Sequence, residues 1–182
     1  SSLPVITVGR LHYPDVAEKA LAEGKADFVA IGRGLLSEPE WVNKVQSNRT
    51  AEIIPCLGCH EGCKWQMIVG EPTSCSLNPT TGHETDRQLV PLKQKRTLLV
   101  VGGGPGGIEA ARVGAERGFD VTLWEASARL GGNLWPAAKP DFKHDLADYI
   151  KYLNGLVRRL PVNVVLNKTA TAGDIQAFGA DY

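Results

Sequence analysis

The chain has no surplus of charge of either sign: across 182 residues, Lys+Arg and Asp+Glu both number 20. With no global field, its composition does not draw it towards nucleic acid or anionic lipid. It has no apolar run near the ~20 residues needed to span a bilayer, and no signal peptide opens it. A cytoplasmic protein is therefore expected. Nor does it repeat, apart from two short strand-Gly-Arg units. What it does have is the balance of a globular protein able to bury a core, with 43% hydrophobic and 22% charged residues. The length allows one or two domains.

Residues 4–8 (PVITV) form a β-branched run ending in Gly9-Arg10. A helix is predicted from Pro14 to Glu23, with Pro14 in its first turn and Gly24 just past its end. Residues 27–31 (DFVAI) make a second apolar strand, also ending in Gly-Arg (Gly32-Arg33). Ser37 and Glu40 have capping-box spacing before a helix through Trp41 and Val45. This βαβα order with near-continuous apolar strands predicts a buried parallel sheet. Residues 50–90 lose periodicity and hold the cysteines with several Gly, Pro and Thr, so they read as an irregular segment needing an external staple.

A new unit starts at Thr97: strand TLLVV, a glycine turn over Gly102–Gly107, an Ala-rich helix to Arg117, and strand DVTLW (120–124). Phe142, Leu146, Ile150, Leu153 and Val157 recur at helical spacing, Pro161 stops that helix, and VNVVL (162–166) is a third strand. Asp174 to Phe178 adds a helical turn, and a further strand is expected where Ala180-Asp181-Tyr182 stands. Both ends are expected to be cut from a longer chain, because two parallel strands cannot close a barrel.

The four cysteines are spaced C-x2-C-x3-C-x11-C at Cys56, Cys59, Cys63 and Cys75. In a reducing compartment such clustering favours metal ligation over disulfides. Three thiolates on a tight loop and a fourth from a later turn suit an iron–sulfur cubane. Four thiolates also suit a structural zinc, although zinc ribbons usually present two separated C-x2-C knuckles. His60, between cysteines, is either a zinc ligand or a solvent-facing loop residue.

Gly102-x-Gly104-x-x-Gly107 follows a strand and opens a helix, the context a dinucleotide turn requires. Gly102 allows the tight turn, Gly104 the approach of a pyrophosphate, and Gly107 close strand–helix packing. Glu125 closes the next strand, where the ribose-binding acid belongs. The motif alone does not choose between FAD and NAD. The two Gly-Arg turns lie at equivalent strand ends, where backbone amides can hold a phosphate and Arg10 or Arg33 can add charge-assisted bonds; ordinary turns are the plainer alternative.

PVITVGR (4–10), ADFVAIGRGLL (26–36), CLGCHEGC (56–63), CSLNP (75–79) and VVGGGPGGIEAA (100–111) stand in the order in which similar motifs occur in the iron–sulfur flavin oxidoreductases. That family, which the whole chain resembles, includes 2,4-dienoyl-CoA reductase, enoate reductase, related NADH oxidases and trimethylamine dehydrogenase. The resemblance implies an α/β chain made of three parts. Residues 1–49 would be the last two βα units of a flavin-binding (β/α)8 barrel, residues 50–92 a 4Fe–4S segment, and residues 93–182 the first half of a Rossmann-like FAD-binding domain. Gly9, Arg10, Gly32 and Arg33 would face the FMN phosphate. Cys56, Cys59, Cys63 and Cys75 would hold the cluster. Gly102, Gly104, Gly107 and Glu125 would hold the adenine-dinucleotide end of FAD, with Gly132 nearby; the Gly131-Gly132 pair is otherwise an ordinary turn.

The activity so implied is NAD(P)H-dependent reduction of activated C=C bonds in an unsaturated acyl-CoA or enoate, with electrons passing from FAD through the cluster to FMN. The x3 gap between the second and third cysteines and Gly82-His83-Glu84-Thr85 resemble this reductase branch. The alternatives are an amine dehydrogenase of the trimethylamine dehydrogenase type and a zinc-stabilised binding module. The family's catalytic residues lie upstream of these motifs, so none is expected here. The partners implied are a small-molecule substrate and the rest of the same polypeptide, with neither nucleic acid nor membrane.

Overall fold

The computed structural model describes residues 2–182, leaving the first residue of the 1–49 stretch outside them. The chain forms two compact α/β units, one running to Arg87 and the other from Gln88 to Tyr182.

In the first unit, β1 (Ile6–Val8) and β2 (Phe28–Ala30) pair in parallel with Ile6 opposite Phe28 and Val8 opposite Ala30. The crossover is α1 (Pro14–Ala22), with proline in its first turn and Ala17 buried. The expected burial of both strands does not hold, since Ile6, Val8 and Phe28 are exposed. A two-stranded sheet needs a layer on each face to bury its side chains, and among the described residues no third strand joins β1 and β2.

Two short helices follow, α2 (Arg33–Ser37) and α3 (Trp41–Gln46). The expected capping box is absent, because Ser37 closes α2 instead of opening α3. The Ser37 side chain is fully buried and its hydroxyl donates to the carbonyls of Gly34 (3.0 Å) and Ile54 (3.3 Å). Burial thus commits this hydroxyl to carbonyls before it can serve an amide of the next helix. Next to it, the Glu38 carboxylate accepts from Lys44 Nζ (2.5 Å) and the Ile54 amide (3.2 Å), while Lys44 also donates to the Glu52 carbonyl (2.9 Å). The segment beyond is less irregular than expected. It contains a 3-10 turn at Thr50–Glu52, a π-helical turn at Glu61–Trp65, and α4 (Gln66–Val69), which Gly70 ends at φ 78°.

The second unit is a parallel sheet in the order β3-β4-β5, from β3 (Thr97–Val101), β4 (Asp120–Trp124) and β5 (Val162–Val165). β4 is central and buried from Val121 to Trp124, with Val121 and Leu123 fully so. Against it pack α5 (Pro105–Arg117) and α7 (His144–Arg159), through Ile108 and Ala111 on one and Leu153 and Val157 on the other. α5 is closed by Gly118 in the left-handed region, φ 93°. A short α6 (Leu134–Ala137) precedes α7.

Phe142 does not join the α7 stripe. It lies in a 3-10 turn, Asp141–Lys143, and is 78% exposed, because Pro140 breaks the chain just before it. α8 (Ala172–Phe178) starts at a true capping box between Thr171 and Asp174. The chain then runs along β3, where Leu99 donates to the Tyr182 carbonyl (2.9 Å) and Tyr182 to that of Thr97 (3.3 Å). Among the described residues, no helix is long and apolar enough to cross a membrane.

Candidate cofactor-binding sites

The in-register pairing of Val8 with Ala30 brings both Gly-Arg turns off the same edge of the first sheet. Gly9 (φ 125°) and Arg10 (φ 52°) both take left-handed backbone, a conformation costly for an arginine. Gly9, Arg10, Gly32 and Arg33 all line one cavity of about 210 Å³, together with His12, Cys56 and Gly58. The two guanidinium groups converge there: a Cβ on Gly58 would lie 3.6 Å from Arg10 Nη1 and 4.0 Å from Arg33 Nη1. Two cations and a set of turn amides in one concavity are the groups that can hold an anion.

Cys56, Cys59, Cys63 and Cys75 are free thiols lining a second, apolar cavity with Leu36, Leu57 and Leu77. Two local features fold the cysteine loop. Gly58 (φ 64°) and His60 (φ 65°) reverse the backbone, and the π-helical turn then carries Cys63 inward. At Gly62 a Cβ would come within 2.6 Å of Ser74 Oγ, and the Ser74 amide donates to the Gly62 carbonyl at 2.6 Å. This close approach sets the neighbour of Cys63 against the neighbour of Cys75. The CSLNP stretch is tied to α2, because Asn78 Nδ2 (3.1 Å) and Thr81 Oγ1 (2.7 Å) both donate to the Leu36 carbonyl.

Among the described residues no three His, Cys, Asp or Glu side chains close on a point as they would around one metal ion; the four thiols ring a space instead. Burial pushes the Cys56 thiol up, while the Gly58 amide and the Arg33 charge pull against it. Arg33 lines both cavities, and its Nη1 meets His60 Nε2. This contact was invisible in the sequence, where His60 was only a loop residue or a zinc ligand. Nor did the sequence single out Glu38, Lys44, Asn78 or Thr81, whose role is to anchor the loop.

In the second unit Gly102 (φ 105°) makes the turn and Gly104 is the N-cap of α5. Glu125 leaves the end of β4 and its carboxylate accepts from the Gly103 amide (2.6 Å) and the Ser127 amide (2.7 Å). Those amides, that of Ser127 first, hold the Glu125 carboxyl below its ordinary range. Gly131 donates to the Gly103 carbonyl at 2.7 Å, and a Cβ on Gly132 would stand 3.1 Å from Gly104 Cα. The Gly131-Gly132 pair therefore folds back onto the glycine turn.

Residues 1–52 match the NADH:flavin oxidoreductase / NADH oxidase family, and residues 100–153 match an NAD(P)-binding Rossmann-like domain. Over residues 1–52 the chain is similar to the NADH:flavin oxidoreductases. It is 41% identical to cinnamate reductase of Clostridium sporogenes over 98% of its own length, and it spans 27% of that enzyme. Among solved structures, it superposes on 2-naphthoyl-CoA reductase with a TM-score of 0.93 at 36% identity, covering 98% of this chain and 27% of that one. It superposes on histamine dehydrogenase from Rhizobium sp. 4-9 with a TM-score of 0.91 at 30% identity, covering 99% and 27%. The chain thus spans about a quarter of the length of these relatives.

Proposed function

We propose that this chain is the electron-relay part of an NAD(P)H-dependent iron–sulfur flavoprotein that reduces activated C=C bonds of an unsaturated acyl-CoA or enoate. The observation that carries the reading is the pair of adjoining cavities in the first unit. One is ringed by four thiols and the other by two Gly-Arg turns, with Arg33, Cys56 and Gly58 in the walls of both. On this reading residues 1–49 are two βα units of a flavin-binding (β/α)8 barrel, residues 50–92 the cluster segment, and residues 93–182 part of an FAD-binding domain.

The donor set suits a 4Fe–4S cluster: four cysteines, one for each iron, lining one apolar pocket. The space between them, about 20 Å³, is water-sized. When bound, flavins and a cluster supply hydride and single-electron chemistry. The chain's own residues bind and orient. Arg10, Arg33 and the Gly9 and Gly32 turns hold the FMN phosphate. Gly102, Gly104 and Gly107 let the pyrophosphate of FAD approach the start of α5, Glu125 accepts from the ribose, and Gly132 closes the same turn.

The likeness to histamine dehydrogenase supports a second reading, an amine dehydrogenase. The x3 cysteine gap supports the reductase branch, as does the 41% identity to cinnamate reductase. The test uses full-length protein purified anaerobically and assayed for iron, acid-labile sulfide, zinc and flavin. About four irons and four sulfides per chain, with NAD(P)H-reduced flavin reoxidised by a dienoyl-CoA or an enoate, is the expected result. Flavin reduced by an amine and not by NAD(P)H would select the second reading. One zinc and no sulfide would replace both with a zinc-stabilised binding module.

A further inference from the structure

We infer that Arg33, oriented by His60, tunes the redox potential of the group held by the cysteines, in addition to facing the phosphate site. The inference rests on the cluster reading above and concerns one side chain at the wall between two cavities.

Both Arg10 and Arg33 line the first cavity, but only Arg33 also lines the cavity of the cysteines. Its guanidinium is turned towards the cysteine loop by contact with His60 Nε2, and His60 lies directly between Cys59 and Cys63 in sequence. His60 itself is held by backbone, since it stands in the left-handed region and its carbonyl accepts from the Trp65 amide at 2.9 Å, closing the π-helical turn. A fixed positive charge beside a redox group favours the form with one more electron and so raises the potential. It acts across a cavity walled in part by Leu36, Leu57 and Leu77, from a guanidinium that is itself exposed to solvent.

A unit charge roughly 10 Å away at an effective dielectric near 20 changes a one-electron equilibrium by about tenfold, or about 59 mV. An anion bound by Arg33 in the first cavity offsets part of that charge, so occupancy of one cavity is felt in the other.

The experiment is an anaerobic redox titration of the full-length protein followed by the electron paramagnetic resonance of the reduced cluster. Arg33→Gln is expected to make the cluster harder to reduce, by about tenfold in the equilibrium, while Arg33→Lys stays near wild type. Arg10→Gln removes an equal charge from the first cavity only and should shift the potential much less. His60→Ala frees the guanidinium and should fall between wild type and Arg33→Gln. A cluster present at full iron and sulfide content whose potential is unmoved by Arg33→Gln overturns the inference alone. So does an equal shift in the Lys and Gln variants, because that marks a packing effect and not a charge. A protein with no sulfide at all would overturn the cluster reading and this inference together.

Discussion

A Cβ on Gly107 would stand 1.8 Å from the carbonyl oxygen of Gly102, so the first turn of α5 and the end of β3 are in backbone contact. No side chain can be accommodated there without parting strand from helix. Gly106, one residue earlier, meets nothing within 4 Å. Gly107→Ala is therefore expected to destabilise the second unit by about 1–3 kcal/mol, the usual cost of overpacking, and to weaken retention of the dinucleotide proposed for this turn. Gly106→Ala should be neutral or slightly stabilising, since alanine is the better helix residue. Urea unfolding of the two variants side by side checks this, and equal midpoints would remove the close-packing argument.

Glu125 links β4 to the glycine turn through the Gly103 and Ser127 amides, and those bonds hold its carboxyl below the ordinary range. A carboxylate with a lowered folded pKa contributes stability above its unfolded value, and that contribution is lost as pH falls through the folded value. The stability difference between wild type and Glu125→Gln should then be largest at neutral pH and shrink as the solution is acidified below pH ~4. Melting both proteins from pH 7 downwards measures it. A difference that grows in acid would mean the carboxylate is not held by these amides.

Much of this was legible in the chain because local chemistry and global fold agree. The GxGxxG turn, the strands β3 and β4, and the glycine ending α5 are each read from a few neighbouring residues. The spacing of Ser37 to Glu40 satisfies a local capping rule, but its buried hydroxyl is committed to the Gly34 and Ile54 carbonyls. The exposure of Ile6, Val8 and Phe28 was likewise unreadable, since an apolar run states a preference and not whether a covering layer is present. Contacts between residues distant in sequence left no signal at all. Arg33 and His60 are 27 positions apart, and Asn78 and Leu36 are 42 apart.

Glu38 and Lys44 form a buried pair, with side chains 4% and 16% exposed, that also binds the Ile54 amide and the Glu52 carbonyl. The pair thus fixes the chain as it enters Pro55-Cys56. Lys44→Met leaves an uncompensated carboxylate and is expected to cost about 3–5 kcal/mol. Adding Glu38→Gln should recover part of that loss, since the amide oxygen can still accept from Ile54. Chemical denaturation of the single and double variants, with iron content as a second readout, tests both the pairing and its support of the cysteine loop. A Lys44→Met protein of wild-type stability would show that the pair does not anchor the segment.

Asp181 accepts from the Thr97 amide and hydroxyl, both at 2.8 Å, and from Arg96 at 3.0 Å, so it fastens the last residues beside β3. The Thr97 amide first, then its hydroxyl and Arg96, bring the carboxyl from 3.8 down to about 2. Because the folded value is the lower one, the fastening is fully present above the unfolded value of 3.8 and is lost as pH falls through about 2. Hydrogen exchange at the amides of Leu99 and Tyr182, which bridge β3 and this segment, should stay slow at pH 5. Once the intrinsic pH dependence is removed, their protection should decline between pH 4 and 2. Asp181→Asn should abolish that decline and show weaker protection already at pH 5. Arg96→Gln should keep most of the protection, because the exposed ion pair contributes less than the two bonds from Thr97. If Arg96→Gln loosened the segment as much as Asp181→Asn, the ion pair rather than the backbone amide would be what holds it.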